Sequence, residues 1–239
     1  MSPIAFLALI LAGLALIVVM FQRERAAQAA ARGRFFADCL VLFDEVKEGE
    51  GEDGFPRLEG LISGKRVQVA FIPDSMTLRH MPQLRLAVTL LDPLPLEGAL
   101  GVLARPTGNE FYALTPNFAE RLERPAVFPP AVLVRGSGAG CGPALAKASN
   151  AIGALLTDPR VREVVATKKG LRVVWQAGQG RRRDPLIRRQ GALGQARIDP
   201  AVLVALFDGL EAVTASLRPP LPIVPSKRTG RAKPKAGKN

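Results

Sequence analysis

Residues that commonly catalyse reactions or bind metals are scarce in this chain. Its 239 residues include 2 cysteines and 1 histidine. Two cysteines exclude a disulfide-based scaffold, and with one histidine they are too few for a structural zinc site without several carboxylate ligands. Aromatic residues make up only 5% of the chain. The sequence therefore predicts no catalytic, cofactor-binding or metal-binding residue.

Charge is absent from the start of the chain. Positions 3–21 are almost entirely Leu, Ile, Val, Ala, Phe and Met. Nineteen helical residues extend roughly 28 Å, which matches the hydrocarbon core of a bilayer. A secretory signal peptide is the alternative, but only Met1 and Ser2 precede the apolar run, and a cleavage site near 26–31 would follow Arg23 and Arg25. We therefore predict a transmembrane anchor over residues 1–21.

Basic residues after the anchor predict its orientation. Arg23, Arg25, Arg32 and Arg34 follow the apolar run, and only Glu24 offsets them. The positive-inside rule then predicts an external N-terminus and a cytoplasmic domain. Within the run, alanines at 5, 8, 12 and 15 share one helix face, where a second copy or another membrane protein could pack.

A connector is predicted over residues 22–54. A helix is expected over Gln22–Lys47, because Phe36, Cys39, Leu40 and Phe43 recur at helical spacing. The stretch Asp44–Asp53 is strongly acidic and contains two glycines, which is typical of a solvated linker.

From Phe55 the apolar spacing changes to the alternation of strands. Hairpins are predicted across Gly64-Lys65 and across Lys168–Gly170, and Leu84–Leu90 is predicted to be a half-buried strand. Further strands are expected at Gly98–Ala104, Ala131–Arg135 and, ambiguously, Leu186–Arg197. The expected fold class is α+β: a transmembrane helix, then a soluble domain at 55–218 of antiparallel strands and hairpins with two packed helices.

Both helices of that domain are indicated by apolar spacing. The first carries Leu145, Ala148, Ile152 and Leu155 on one face. The second has Asp199 as an N-cap and Pro200 at its first position, and its apolar stripe is Leu203, Leu206, Leu210, Val213 and Leu217. The last segment, 219–239, is rich in proline, then basic, and is predicted to be a disordered tail.

Turn and strand motifs give the chain a resemblance to other proteins. They are Pro73-Asp74, Pro82, Leu84–Leu90, Val134–Gly136, Lys169–Arg172, Arg189–Gly191 and Asp199-Pro200. With the apolar start, these motifs resemble uncharacterised single-pass membrane proteins of bacteria over most of residues 1–217. The resemblance implies an anchored, cytoplasmic α+β domain and brings no catalytic residue.

Three features could carry chemistry. The glycine-rich turn Gly136–Gly142 lies between a predicted strand and helix, as phosphate loops do, but it fits neither G-x-G-x-x-G nor the Walker A spacing. His80 lies near Asp74 and Ser75 without a nucleophile motif. Cys141 is expected at a helix N-terminus, where a thiol pKa can fall, but no base accompanies it.

Positive charge is concentrated in two regions. Residues 160–189 contain ten Lys/Arg and two acidic residues, and the tail adds six Lys/Arg without an acid. Both patches suit anionic lipid headgroups or a nucleic-acid backbone. The sequence thus favours a membrane-anchored, non-enzymatic scaffold or interaction module. A nucleic-acid-associated membrane protein and, less favoured, a membrane-bound enzyme using Gly136–Gly142 stay open.

Overall fold

A computed structural model describes residues 3–74, 83–108, 110–179 and 197–219. Three helices are present in this part of the chain: α1 (Pro3–Arg32), α2 (Cys141–Leu156) and α3 (Pro200–Leu217). The strands are β1 (Glu45–Glu50), β2 (Pro56–Ile62), β3 (Lys65–Asp74), β4 (Gln83–Leu90), β5 (Ala99–Ala104), β6 (Glu120–Arg121), β7 (Val132–Ser137), β8 (Val161–Thr167) and β9 (Gly170–Gln179).

The nine strands form one sheet in the order β1-β2-β3-β4-β9-β8-β5-β7-β6. Every neighbouring pair is antiparallel. Helices α2 and α3 pack against each other and against one face of the sheet, where most of the apolar core lies. The predicted α+β class is confirmed.

Both predicted hairpins are confirmed, and their turns explain their glycines. Ser63 and Gly64 have φ values of 51° and 72°, the combination that a two-residue type I′ turn requires. At the β8–β9 turn, Gly170 has φ 141°, and a Cβ there would lie 2.1 Å from the carbonyl oxygen of Leu90. Close approach of the preceding β4–β5 connection therefore requires glycine at 170.

The acidic stretch Asp44–Asp53 is not the solvated linker that its composition indicates. Residues Glu45–Glu50 form β1, which pairs with β2 along its whole length and exposes all six side chains. Asp44 accepts a hydrogen bond from the amide of Gly64 at 3.1 Å. Charged residues suit this position because they discourage another chain from pairing with an exposed sheet edge.

The prediction of a half-buried β4 was also wrong. The strand begins one residue before the predicted start, at Gln83, and Arg85 is only 6% exposed and Ala87 only 7%. Aromatic contacts place Phe111 and Tyr112 over Arg85, on the face opposite the helices. Both faces of β4 are therefore covered.

Helix α1 ends at Arg32, earlier than predicted, although Phe36, Cys39 and Phe43 are buried as expected. Turns follow, then a single 3-10 turn at Leu40–Leu42 and strand β1. The two adjacent phenylalanines at 35 and 36 are both buried. The chain leaves the helical path to bury them, because a helix would direct neighbouring side chains about 100° apart.

Helix α3 begins as predicted. The Asp199 carboxylate accepts a hydrogen bond from the amide of Ala201 at 2.9 Å, and Pro200 occupies the first turn. The five apolar stripe residues, together with Phe207, are buried in the core.

Two apolar helices bear on the predicted anchor. By length and hydropathy, Pro200–Leu217 is the one helix among the described residues that could cross a membrane, and a shorter apolar helix is Ile10–Arg23. The apolar stripe of α3 packs in the core of the domain, so α3 is a core helix. The anchor at 1–21 stays a prediction.

The packing of α3 gives a testable expectation for stability. Leu210→Ala should lower the free energy of unfolding by about 2–5 kcal/mol, because Leu210 is fully buried and truncation leaves a cavity. Val204→Ala is the matched control, since Val204 is 40% exposed on the same helix. Urea unfolding of both variants measures the difference, and equal midpoints would contradict the assignment of this face.

Candidate functional site

The sheet face opposite the helices carries a polar cluster beneath a short covering segment. We call residues 110–118 the cover segment. Its residues Tyr112 and Ala113 form a small apolar cluster with Leu103 of β5 and Val174 of β9. Three charged side chains, Glu163, Arg172 and Arg85, lie around this contact and hold the segment in place.

Glu163 of β8 is the central residue of the cluster and has no exposed surface. One carboxylate oxygen accepts hydrogen bonds from the amides of Leu114 and Thr115 at 2.7 and 2.8 Å, and from the Thr115 hydroxyl at 2.8 Å. Burial raises the pKa of Glu163, while the hydrogen bonds from Thr115 and the charge of Arg172 act to lower it. Glu163 thus fastens the cover segment to the sheet.

Two arginines complete the cluster. Arg172 lies 3.7 Å from the second oxygen of Glu163 and donates hydrogen bonds to the Tyr112 carbonyl at 3.4 Å. The guanidinium of Arg85 stacks 4.0 Å from the Tyr112 ring centre and bonds Gln83 at 2.7 Å. Within the described residues, the Tyr112 hydroxyl and Arg85 Nε have no hydrogen-bond partner. A buried polar group without a hydrogen bond is unfavourable, so these two groups reduce the stability of the contact between the cover segment and the sheet.

The glycine-rich turn Gly136–Gly142 is occupied by its own chain. A Cβ at Gly98 would lie 1.8 Å from the Ser137 carbonyl oxygen, and one at Gly138 would lie 2.8 Å from that of Glu97. The Gly140 amide donates to the same Glu97 carbonyl at 3.3 Å. The glycines at 98 and 138 are therefore explained by the close approach of two backbone segments. The Gly140 amide already donates a hydrogen bond within the chain, whereas a phosphate loop presents its amides to the phosphate.

A shallow groove of about 250 Å³ borders this turn. Glu97, Lys147 and Leu217 are among the residues that line it. Other grooves, of about 290 and 350 Å³, border the β1–β2 edge and the turn at Gly51–Phe55. None of these three grooves is lined by Glu163, Arg172 or Tyr112.

The cysteines are in environments that suppress their reactivity. Burial, and next the hydrogen bond with Glu120 at 3.5 Å, raises the pKa of Cys141, contrary to the effect expected at a helix N-terminus. Burial and then the charges of Asp38 and Asp199 raise the pKa of Cys39 to about 11. Cys39 donates to the Ile198 carbonyl at 3.3 Å.

Other candidates from the sequence do not form a site in the described part of the chain. His80 and Ser75 lie outside the described residues. No group of three or more His, Cys, Asp or Glu side chains capable of holding a metal occurs within residues 3–74, 83–108, 110–179 and 197–219. Asp74 forms an ion pair with Arg85 at 3.5 Å.

The junction of α1 with the sheet is the second notable feature. We call the contact of Phe35 and Phe36 with Phe55 and Phe71 the helix root. Phe36 stacks on Phe71 with ring centres 4.8 Å apart, and Phe35 meets the edge of Phe71 at 5.2 Å. Arg32, the last residue of α1, lies 4.4 Å over the Phe55 ring and donates to the Gly54 carbonyl at 3.4 Å.

The helix root also contacts the start of α3. The Ile198 amide donates to the Phe35 carbonyl at 3.1 Å. Three separate parts of the chain thus fix the end of α1: the β1–β2 turn, strand β3 and the residue before the α3 cap. Because these contacts bury aromatic rings from three parts of the chain, we expect little hinge motion at the root.

Sequence reasoning found the root residue Phe36 but missed the polar cluster. Glu163 stands out only as one of two acids in a strongly basic stretch. Comparison of the chain with protein-family models, curated proteins and solved structures finds no match.

The Glu163 contacts predict a local change on mutation. Glu163→Ala should speed amide hydrogen exchange at Leu114 and Thr115, because both amides lose their acceptor. Glu48→Ala, at an exposed acidic residue of β1, is the control. Exchange measured by mass spectrometry should separate the two variants; unchanged exchange of the cover segment in Glu163→Ala would refute its role.

Proposed function

We propose that this chain is a single-pass membrane protein whose α+β domain is a non-enzymatic interaction module held at the membrane surface. The observation that carries the proposal is the exposed, apolar first half of α1. Ile10, Leu14, Ile17 and Phe21 are each more than half exposed. The six consecutive residues from Leu16 to Phe21 are all apolar and exposed, so every side of the helix is apolar there.

A helix that is apolar on all sides requires an apolar surrounding. Helix α3 is apolar along one stripe only, which packs on the sheet, and it carries Asp208 and Glu211 outside that stripe. The uncharged sequence of α1 begins at Pro3, before Ile10, and so reaches about the length of a span. Lipid would bury the exposed residues that the domain leaves uncovered.

The four arginines at 23, 25, 32 and 34 support a cytoplasmic domain and an external N-terminus at a bacterial inner membrane. Transferring such a cluster across the bilayer is resisted. Anionic headgroups also attract basic residues on the cytoplasmic side. The basic tail at 219–239 would add to this attraction, although residues 220–239 lie outside the described part of the chain.

The exposed faces of β1, β2 and β3 support protein recognition. Lys47 lies opposite Glu59, which lies opposite Gln68, and Arg57 and Arg66 flank them on the exposed side. Interspersed charges of both signs provide electrostatic complementarity to another protein rather than to a uniform polyanion.

The alternatives receive less support. Single-stranded nucleic acid is usually bound by aromatic stacking, but Trp175 and Tyr112 are both buried. An enzyme using Gly136–Gly142 would need amides that this turn partly commits to Glu97. A second copy or another membrane protein is therefore the proposed partner class.

Anchoring is tested by placing charge in the apolar half of α1. The full chain should remain in the membrane fraction after alkaline carbonate extraction. Leu14→Lys with Ile17→Lys should release it, because each lysine near the bilayer centre costs about 2.5–3.5 kcal/mol. Val41→Lys is the control, since Val41 is exposed but lies beyond α1. Release of the unsubstituted chain to the same extent would refute the anchor.

A further inference from the structure

The sheet end from which α1 leaves also carries a group of arginines. We call it the root end. A row of paired residues crosses the sheet there, from Phe71 to Leu86, then Trp175 and Val161. Phe71 belongs to the helix root, and Trp175 lies two strands away, which corresponds to about 10 Å. The root and the start of β8 therefore lie at one level of the sheet.

Three arginines gather at the start of β8. Arg105, which follows β5, donates to the carbonyls of Pro159 and Val161, and Arg162 donates to the Arg105 carbonyl at 3.2 Å. Arg160 is exposed, and its guanidinium lies 5.3 Å from the Trp175 ring centre. The charge of Arg162, after burial, lowers the pKa of Arg105, as expected for neighbouring cations.

This arginine group has little compensating charge. Its nearby acid is Asp158, whose two oxygens accept hydrogen bonds from the Arg160 amide at 2.7 Å and Trp175 Nε1 at 2.8 Å. None of the three arginines forms an ion pair with another described residue. By contrast, Arg197 at the same end is paired with Asp38 at 3.8 Å.

Helix length places this group near the bilayer. The 11 residues from Gln22 to Arg32 continue α1 beyond the apolar run and span about 16 Å. Headgroups occupy roughly 6 Å of that distance, which leaves a gap of about 10 Å. The Debye length is also about 10 Å at 0.1 M salt. With the root-end row parallel to the membrane, the arginines would lie within the range of a charged membrane surface.

We infer that Arg105, Arg160 and Arg162 form a docking surface for the headgroups of anionic phospholipids, which fixes the root end of the domain towards the membrane. The inference rests on the proposed anchoring. It adds a second contact, three to four strands from the helix root, so that α1 and the domain, joined at the root, cannot tilt freely in the bilayer. The mixed-charge faces of β1–β3 are then held at a constant height above the membrane and in a constant direction.

The single tryptophan makes this contact measurable. Trp175 is the only tryptophan of the chain and lies beneath Arg160. The full chain is placed in nanodiscs of phosphatidylcholine, with or without phosphatidylglycerol, containing phosphatidylcholine that bears a nitroxide on its headgroup. Quenching is expressed as the ratio to discs without nitroxide, which removes any direct effect of a mutation on the fluorescence.

Stronger quenching is expected with phosphatidylglycerol and should be lost at high salt. Arg160→Gln should lower the ratio of docked to undocked domains about fivefold, the effect of one basic residue near an anionic surface. Arg160→Lys should retain docking. Arg66→Gln is the matched control, because Arg66 is an exposed arginine at the opposite end of β3.

Two results would overturn the inference while leaving the anchor intact: equal quenching in both kinds of disc, or the same loss in Arg66→Gln as in Arg160→Gln. Failure of the full chain to enter nanodiscs is a different result. It would remove the proposed anchoring, and the docking surface with it.

Discussion

The packing of Phe35 and Phe36 on Phe71 is the constraint on which the arrangement of this protein depends. It ends α1, buries both aromatic side chains and brings the chain to the sheet within a few residues. Because Ile198 also bonds the root, the entry to α3 is fixed by the same contact. We therefore expect the apolar helix α1 to keep a fixed direction relative to the domain rather than to move on a flexible linker.

The two faces of the sheet are stabilised by different means. On one face, α2 and α3 bury an apolar core of the usual kind. On the other, a buried glutamate holds the cover segment through three hydrogen bonds, with Arg172 beside it. Removal of this carboxylate would leave the amides of Leu114 and Thr115 without their acceptor, which is costly for buried donors.

Local signals in the sequence predicted much of the fold. The hairpins, the Asp199 cap and the α3 stripe depend on residues close together in the chain, so patterns reveal them. Strand β1 was missed because acidic residues and glycines are typical of a linker, and the strand forms only by pairing with β2. The contact of Tyr112 with Arg85 and the hydrogen bond of Thr115 with Glu163 join residues far apart in the sequence. Hydrophobic periodicity reports only on neighbouring residues, so it could not predict these contacts. The arginine group was visible only as part of a broad basic stretch.

Rigidity of the helix root is the central claim, and a distance distribution tests it directly. Spin labels at Ala27→Cys on α1 and Glu59→Cys on β2, both exposed, can be measured by double electron–electron resonance in nanodiscs. Cys39 and Cys141 are buried and should stay unlabelled in the folded chain. We expect one narrow distance peak that broadens with Phe36→Ala. A broad distribution already present with Phe36 intact would contradict the account, because α1 would then be hinged at the root.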